Sequence, residues 1–486
     1  MQSIARIRKN FSVLSASKGF DIIIGLVSIS LIARYLGVAE FGKYAFVRAF
    51  CSILVIVANM GLPTIMVREI ARNRENAPAY FFSSLFLMFI FSLVSLGILV
   101  LGINLTDFSS EVKHGVYIMG LAAVFLIFGD LFSALFRAFE KMEYEALKSI
   151  VNQVVYIVMV VLAIHYDLGF LAMFVALLVA NFVVMVLGAV IASRKFIEPG
   201  FRMSLSMAKF VLFETVPLGL GLIIRKLILR IDILLLTAMK SRTDVGLFGA
   251  VYRLIIQLRI LPNISRKVTL PIFSRLAVDP KEALAAGYKR SFKFFFVLYL
   301  PITIALVFLA DKVVLLVFGK AFVPSAIVLQ ILGVALLFMF LNTHLLMILT
   351  AVNKQKTGMI NTIFCLAANV GLDILLIPKW SYVGASIATL AAEVVLFVSC
   401  FYVISREIHV LQLHRMCWKP LFCGLAMGGF LLVLHPMSIF FLLPLGAVIY
   451  FGMLFLVGAF SSDETVLIKE AIVFPGLRAL RLSLKR

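Results

Sequence analysis

Long apolar runs separated by short polar connections fill this chain. Taken as spans of about twenty residues, they fall at 11–36, 42–67, 78–104, 115–139, 144–165, 168–193 and 208–238. A second set follows at 244–273, 288–310, 322–350, 357–378, 382–405, 416–434 and 438–460. The runs are continuous rather than alternating, which excludes the short two-residue period of a membrane barrel. The pattern therefore predicts an all-α polytopic membrane protein with about 14 transmembrane helices. No connection is long enough to hold a separate soluble domain. The first run follows Arg6, Arg8 and Lys9, as in a signal peptide. It continues to Leu36, carries Asp21 and lacks a small-residue cleavage site, so it reads as an uncleaved first span.

The seventh run breaks the pattern. FVLFETVPLGLGLIIRKLILRIDILLLT is apolar enough to cross a bilayer, yet it carries Glu214, Arg225, Lys226, Arg230 and Asp232. Each central charge costs roughly 2.5–3.5 kcal/mol on insertion, and each Leu, Ile, Val or Phe returns about 0.3–0.6. Such charges must face protein or a water-filled cavity. On a continuous helix Glu214, Arg225 and Asp232 share a face and Arg230 points away from it. Pro217, Gly219 and Gly221 precede the basic run and invite a bend.

The apolar pattern also repeats. GVAEFGKYAFVRAF (37–50) aligns with SRTDVGLFGAVYRL (241–254), placing Gly42 on Gly246 and Tyr44 on Phe248. LPTIMVREIA (62–71) follows with LPIFSRLA (270–277), then ALFRAFEKMEYEA (134–146) with MILTAVNKQKTGM (347–359), then LGFLAMFVALL (168–178) with SYVGASIATLA (381–391). Four matches in sequential order indicate duplication. The expected organisation is an N-terminal lobe of six spans (1–200), a C-terminal lobe of six (201–410), and two added spans with a basic tail (411–486). An even number of spans per half makes the repeats parallel, related by an axis along the membrane normal.

Composition adds little to the class and much to the orientation. The chain has 486 residues, is 63% hydrophobic and only 14% charged, and has a mean hydropathy of +1.10. Its net charge of +21 would suggest nucleic acid in a soluble protein. Here the Lys and Arg sit in alternate loops: Arg68, Arg72 and Arg74; Lys141 and Lys148; Arg194, Lys195 and Arg202; Lys281 to Lys293; Lys354 and Lys356; Arg406, Arg415 and Lys419. The loops between hold few, such as Lys43, Lys113, Lys240 and Lys379. That is the positive-inside signal: both termini cytoplasmic, membrane lipid as the surroundings, and no nucleic-acid partner expected. The five cysteines form no CxxC pair, so neither a disulfide framework nor a metal site is expected.

The candidate chemistry lies in charges away from the span ends. Span eight adds Arg253, Gln257 and Arg259 to the basic residues of span seven. Arg225 and Arg259 lead as cavity-lining cations, with Lys226, Arg253 and Arg230 behind them; the alternative is a structural network with Asp232, Glu214, Asp373 and Glu393. Arg48 and Arg34 sit near span ends, where interfacial snorkelling explains them. Asp130 is placed to pair with Arg137, and Lys18 with Asp21. A membrane-embedded acid can take up a proton or cation, which makes Asp21, Asp373 and Glu393 ion-coupling candidates for H+ or Na+. There is no GxxxxGK, HExxH or GxSxG, so no catalytic residue, no cofactor and no ATP hydrolysis are expected.

LIARYLGVAEFGKYAFVRAF, RIDILLLTAMKSRTDVGLFGAVYRL and NVGLDILLIPKWSYVGASIATLAAEVV resemble three hairpin regions of polysaccharide flippases. These are the O-antigen, Wzx-type members of the multidrug/oligosaccharidyl-lipid/polysaccharide exporter superfamily. The resemblance covers roughly residues 10–410. At Trp380-Ser381-Tyr382 the chain departs from the Gly-rich turn of that pattern. The resemblance implies transport of a polyprenyl-diphosphate-linked oligosaccharide, by alternating access, in polysaccharide or lipopolysaccharide biosynthesis at the cell inner membrane. Polysaccharide polymerase and chain-length proteins would be its partners. Arg225 and Arg259 would then pair with phosphate oxygens. Three other readings compete: a lipid II-type flippase, a multidrug cation antiporter, which would want an acidic cavity, and a membrane-embedded glycan polymerase or ligase, which would want a large outer loop.

Overall fold

The computed structural model describes residues 2–197, 204–228, 230–277 and 281–459. No strand occurs among them. The helices run α1 Gln2–Asn59, α2 Leu62–Arg72, α3 Ala77–Asn104, α4 Ser110–Ala138, α5 Met142–His165, α6 Gly169–Lys195, α7 Leu205–Ile228 and α8 Ile231–Met239. They continue as α9 Arg242–Leu258, α10 Ile260–Leu276, α11 Lys281–Phe308, α12 Ala310–Phe318, a 3-10 turn Lys320–Ser325, α13 Ala326–Ala351, α14 Gln355–Glu407, α15 Leu413–Val433 and α16 Ile439–Leu456.

Among the described residues, 11 helical stretches are long and apolar enough to cross a membrane. Two of them, of 54 and 53 residues, each hold two spans, because a single pass needs only about 20. With α7–α8 as one further pass, the spans number fourteen, as the apolar pattern predicts. The breaks inside the two long helices are single residues outside helical geometry. One is Gly37 (φ 69°, ψ 177°) and the other Ser381 (φ 48°, ψ −130°). Glycine adopts such angles freely; serine does so at a cost. The two arms leaving Ser381 pass so closely that a Cβ on Gly384 would strike the backbone of Leu376 and Ile377.

Among the described residues, three spans are interrupted. Span two breaks at Met60 (φ 46°) and Gly61 (φ 86°), span seven at Arg230, and span eight at Arg259. The seventh span therefore breaks well beyond Pro217, through which α7 runs unbroken. Gly219 serves a close approach rather than a bend: a Cβ there would lie 2.7 Å from the Met60 sulfur and 3.0 Å from its carbonyl oxygen.

The described chain divides into two compact units. One holds Met1–Leu258, Val314–Val328 and Cys365–Ala392; the other holds Arg259–Val313, Leu329–Phe364 and Glu393–Arg486. In the first, α2, α3 and α4 share a core of Leu62, Ile65, Met66, Phe81, Leu131 and Phe136. Its α1–α9 crossing is reciprocal. A Cβ on Gly42 would strike the carbonyl of Arg242, and one on Gly246 would strike that of Val38. Ala45 lies opposite Gly249, where a Cβ would sit 2.8 Å from its own. Val38/Arg242, Gly42/Gly246 and Ala45/Gly249 are equivalent positions of the sequence repeat. Contacts that exchange partners in this way are what a two-fold relation between repeats produces.

In the second unit α15 packs on α11 through glycines. Gly424 faces Leu300 and Ile304, and Gly428 faces Phe308. Tyr450 of α16 donates to the carbonyl of Val297 at 3.1 Å. Small residues let helices approach where apolar burial gives no driving force against lipid. Large apolar side chains elsewhere, such as Leu93, Leu101, Val158 and Phe441, remain exposed, as lipid-facing positions do.

A candidate anion site and a candidate cation site

The interrupted spans bring three arginines together in the first unit. Arg48 comes from the second half of α1, Arg253 from α9, and Arg230 from the residue that caps α8. Arg48 Nη1 donates to Tyr44 Oη at 2.9 Å, and its guanidinium lies 5.6 Å from the Tyr44 ring centre. Tyr44 is 1% exposed, stacks on Phe174 at 5.4 Å and reaches Tyr156 Oη at 3.4 Å. Arg253 lies in the electrostatic range of Arg48, Tyr44 and Tyr156, and Arg230 in that of Arg48, Arg253 and Tyr252. The Nε atoms of Arg230 and Arg253 are buried without a hydrogen-bond partner among the described residues. Guanidinium donors held together in this way, short of acceptors, form a site suited to an anion with several oxygens.

This geometry changes the ranking of the arginines. The helical wheel turns Arg230 away because it assumes one continuous helix. The chain breaks beside it (φ −134°, ψ −14°) and sets it next to Arg253. Arg48 is not a snorkelling residue at a span end; it is half-buried in the cluster. The sequence carried no signal for it, since its place depends on the turn at Gly37. Tyr156 carried no signal. Arg259 stands at the α9–α10 break and belongs to the second unit. The side chains of Arg225 and Lys226, like that of Lys18, lie outside the described residues. Arg34 is exposed, and its guanidinium donates to the carbonyls of Leu315, Leu316 and Val317, capping the end of α12.

The acids separate into different roles. Glu214 pairs with Arg68 at 2.7 Å. Arg137 pairs with Glu145 at 2.7 Å rather than with Asp130. Both carboxylate oxygens of Asp21 lie 2.7 Å from Ser149 Oγ, which donates to them. Glu393, in the second unit, accepts from Asn342 Nδ2 at 2.7 Å. Asp232 and Asp373 differ from these. Both are wholly buried, at 1% and 0% exposure, and they lie side by side with Asn369 next to Asp232. Thr389 Oγ1 donates to Asp232 Oδ2 at 3.2 Å. Asp232 Oδ1, both oxygens of Asp373 and the Asn369 amide nitrogen make no hydrogen bond of good geometry among the described residues. Two buried carboxyl groups with open oxygens and a hydroxyl beside them suit a proton or a small hard cation.

Comparison with known proteins agrees with this architecture. The chain is 24% identical over 204 residues to the capsular polysaccharide biosynthesis protein CapF of Staphylococcus aureus, a match spanning 41% of this chain and only 52% of that protein. In fold it is similar to the lipid II flippase MurJ in an inward closed conformation (TM-score 0.77, 15% identity, 94% of this chain and 99% of that one). It is also similar to an inward-facing multidrug resistance MATE family transporter of the MOP superfamily (TM-score 0.66, 18% identity, 79% of this chain and 95% of that one). Residues 7–277, more than half of the chain, match the family described as polysaccharide biosynthesis protein; the chain, with its many membrane-spanning helices, therefore belongs to that family.

Proposed function

We propose that this protein moves a polyprenyl-diphosphate-linked oligosaccharide, the repeat unit of an O-antigen or capsular polysaccharide, from the cytoplasmic to the outer leaflet. The observation that carries this reading is the Arg48–Arg230–Arg253 cluster with its open guanidinium nitrogens. A diphosphate is the part of such a lipid that most resists the apolar layer, and convergent guanidiniums offset its lost hydration. Arg225, Lys226 and Arg259 remain candidate anion contacts. Alternating access between the two faces of the membrane accomplishes the transfer. Movement of H+ or Na+ through the Asp232–Asp373 pair drives it, with Asp21 and Glu393 as the weaker coupling candidates. The cycle makes and breaks no covalent bond, so the chain acts as a transporter and not as an enzyme. It works beside the polymerase and chain-length proteins that consume its product.

A lipid II-type flippase is the second reading, supported by the fold shared with MurJ. A multidrug cation carrier is disfavoured, because three arginines gathered in one place repel a cationic drug. The test is flipping of a defined lipid-linked oligosaccharide in proteoliposomes. Arg48→Gln and Arg253→Gln are each expected to slow it at least tenfold at normal expression. Wild-type rates in both variants would remove the cluster from the mechanism. Transport of lipid II in preference to the oligosaccharide would select the second reading.

A further inference from the structure

A cavity of about 790 Å³ opens within the second unit, between the first half of α11, the α14–α15 connection, the start of α15 and the end of α16. Its basic lining is Lys289, Arg290 and Lys293 from α11, His409 from the connection, and Arg415 and Lys419 from α15. Lys289 and Lys293 are one helical turn apart, as are Arg415 and Lys419. Like charges at that spacing destabilise an isolated helix, and here two helices turn such pairs into one space. No carboxylate lines it among the described residues.

Packing fixes this convergence. Gly424 against Leu300 and Ile304, then Gly428 against Phe308, shows α15 running beside α11 in the same direction. Carried back nine residues, that register sets Arg415 level with Lys293. Lys419 is tied down, its Nζ donating to the carbonyls of Val457 at 3.1 Å and Gly458 at 2.9 Å. Lys289, Arg290 and Arg415 are exposed. Leu411 and Met416 give a buried apolar floor, and beside the cavity Trp418 is 54% exposed, as an aromatic residue at the membrane–water boundary would be. The positive-inside rule calls for basic loops. It does not require them to fold into one concave site.

We propose that this cavity binds the head group of an anionic lipid carrying two phosphates. Arg290 and Arg415 grip phosphate oxygens through paired N–H donors, and Lys289 and Lys293 add charge. The hydrocarbon leaves along the exposed apolar side chains of α15 and α16, Phe422, Leu425 and Phe455. Both helices fall outside the sequence duplication, so the first half has no equivalent of this site. Two lipids share the chemistry: a polyprenyl diphosphate and a diphosphatidyl phospholipid. Only the choice of the first as a source rests on the proposed function.

The experiment uses the full chain in phosphatidylcholine nanodiscs, in an Arg48→Gln/Arg253→Gln background so that binding reports this cavity alone. Retention of polyprenyl diphosphate, diphosphatidylglycerol and inorganic pyrophosphate is followed by native mass spectrometry. Adding Arg290→Gln/Arg415→Gln is expected to weaken lipid retention at least tenfold, and Arg290→Lys/Arg415→Lys to restore part of it. Loss confined to polyprenyl diphosphate identifies a carrier-binding site, and loss of both lipids a general anionic-lipid site; each supports the proposal. Equal lipid retention with and without the two glutamines, in proteins of equal thermal stability, overturns it. So does pyrophosphate binding as tightly as either lipid. Flipping assays on Arg48→Gln alone test the proposed function separately, so each idea can fail without the other.

Discussion

Ser381 holds a backbone conformation (φ 48°, ψ −130°) that costs a non-glycine residue about 1–3 kcal/mol. The departure from a Gly-rich turn at Trp380-Ser381-Tyr382 was legible in the sequence, and the structure keeps the turn while the residue bears the strain. Ser381→Gly is therefore expected to raise the thermal unfolding midpoint in detergent, by the equivalent of about 0.5–1 kcal/mol after the added freedom of the unfolded glycine is subtracted. A midpoint that falls would show that the serine side chain contributes more than its backbone costs. Gly42 and Gly246 present the opposite case. Any side chain there meets a carbonyl oxygen of the facing helix, so Gly42→Val and Gly246→Val should each destabilise by about 1–3 kcal/mol. Equivalence under the repeat predicts similar losses at the two sites, read by the same unfolding measurement. A loss at one site and none at the other would contradict the reciprocal crossing.

Helices decide which charges meet. Arg230 shows why a wheel drawn on the sequence misleads: the break at this residue rotates everything after it, and no proline or glycine marks that point. Arg253 and Asp373 were legible as charges away from the span ends. Arg48 was not, because its depth depends on the turn at Gly37 and on Tyr44 folding over it. Asp232 was legible as a charge, and its neighbours were not. Asn369 and Asp373 are one helical turn apart in the sequence, but Thr389 comes from the other arm of α14. That grouping carries a prediction. Asp232→Asn and Asp373→Asn should each abolish the response of transport to an imposed Na+ or H+ gradient, while Glu393→Gln, whose carboxylate already accepts from Asn342, should change it far less. Flipping assays under imposed gradients decide this, and an undiminished response in both Asp variants would exclude the pair as the coupling site.

At the scale of the whole chain, the charge pattern predicts an orientation. Lys43, the most prominent cation of the first poorly charged loop, is held by Glu40 at 2.7 Å and Glu111 at 2.6 Å, which sharpens the asymmetry between alternate loops. Single cysteines at the exposed positions Ser193 and Ser241 should then be labelled from opposite sides. In intact cells an impermeant maleimide is expected to reach Ser241→Cys and to miss Ser193→Cys; the reverse would invert the topology. Apolar run length is a property of contiguous residues, so the all-helical class and the fourteen spans were legible in the sequence alone. Which arginines share a site, which acids face each other, and where a span breaks depend on residues brought together from distant helices. One φ/ψ pair at a break redirects every side chain beyond it, so only the tertiary structure could decide them. The seventh span shows the division. Its charges marked it out as unusual, and the break at Arg230 sends that residue to the arginine cluster and Asp232 to the carboxyl pair.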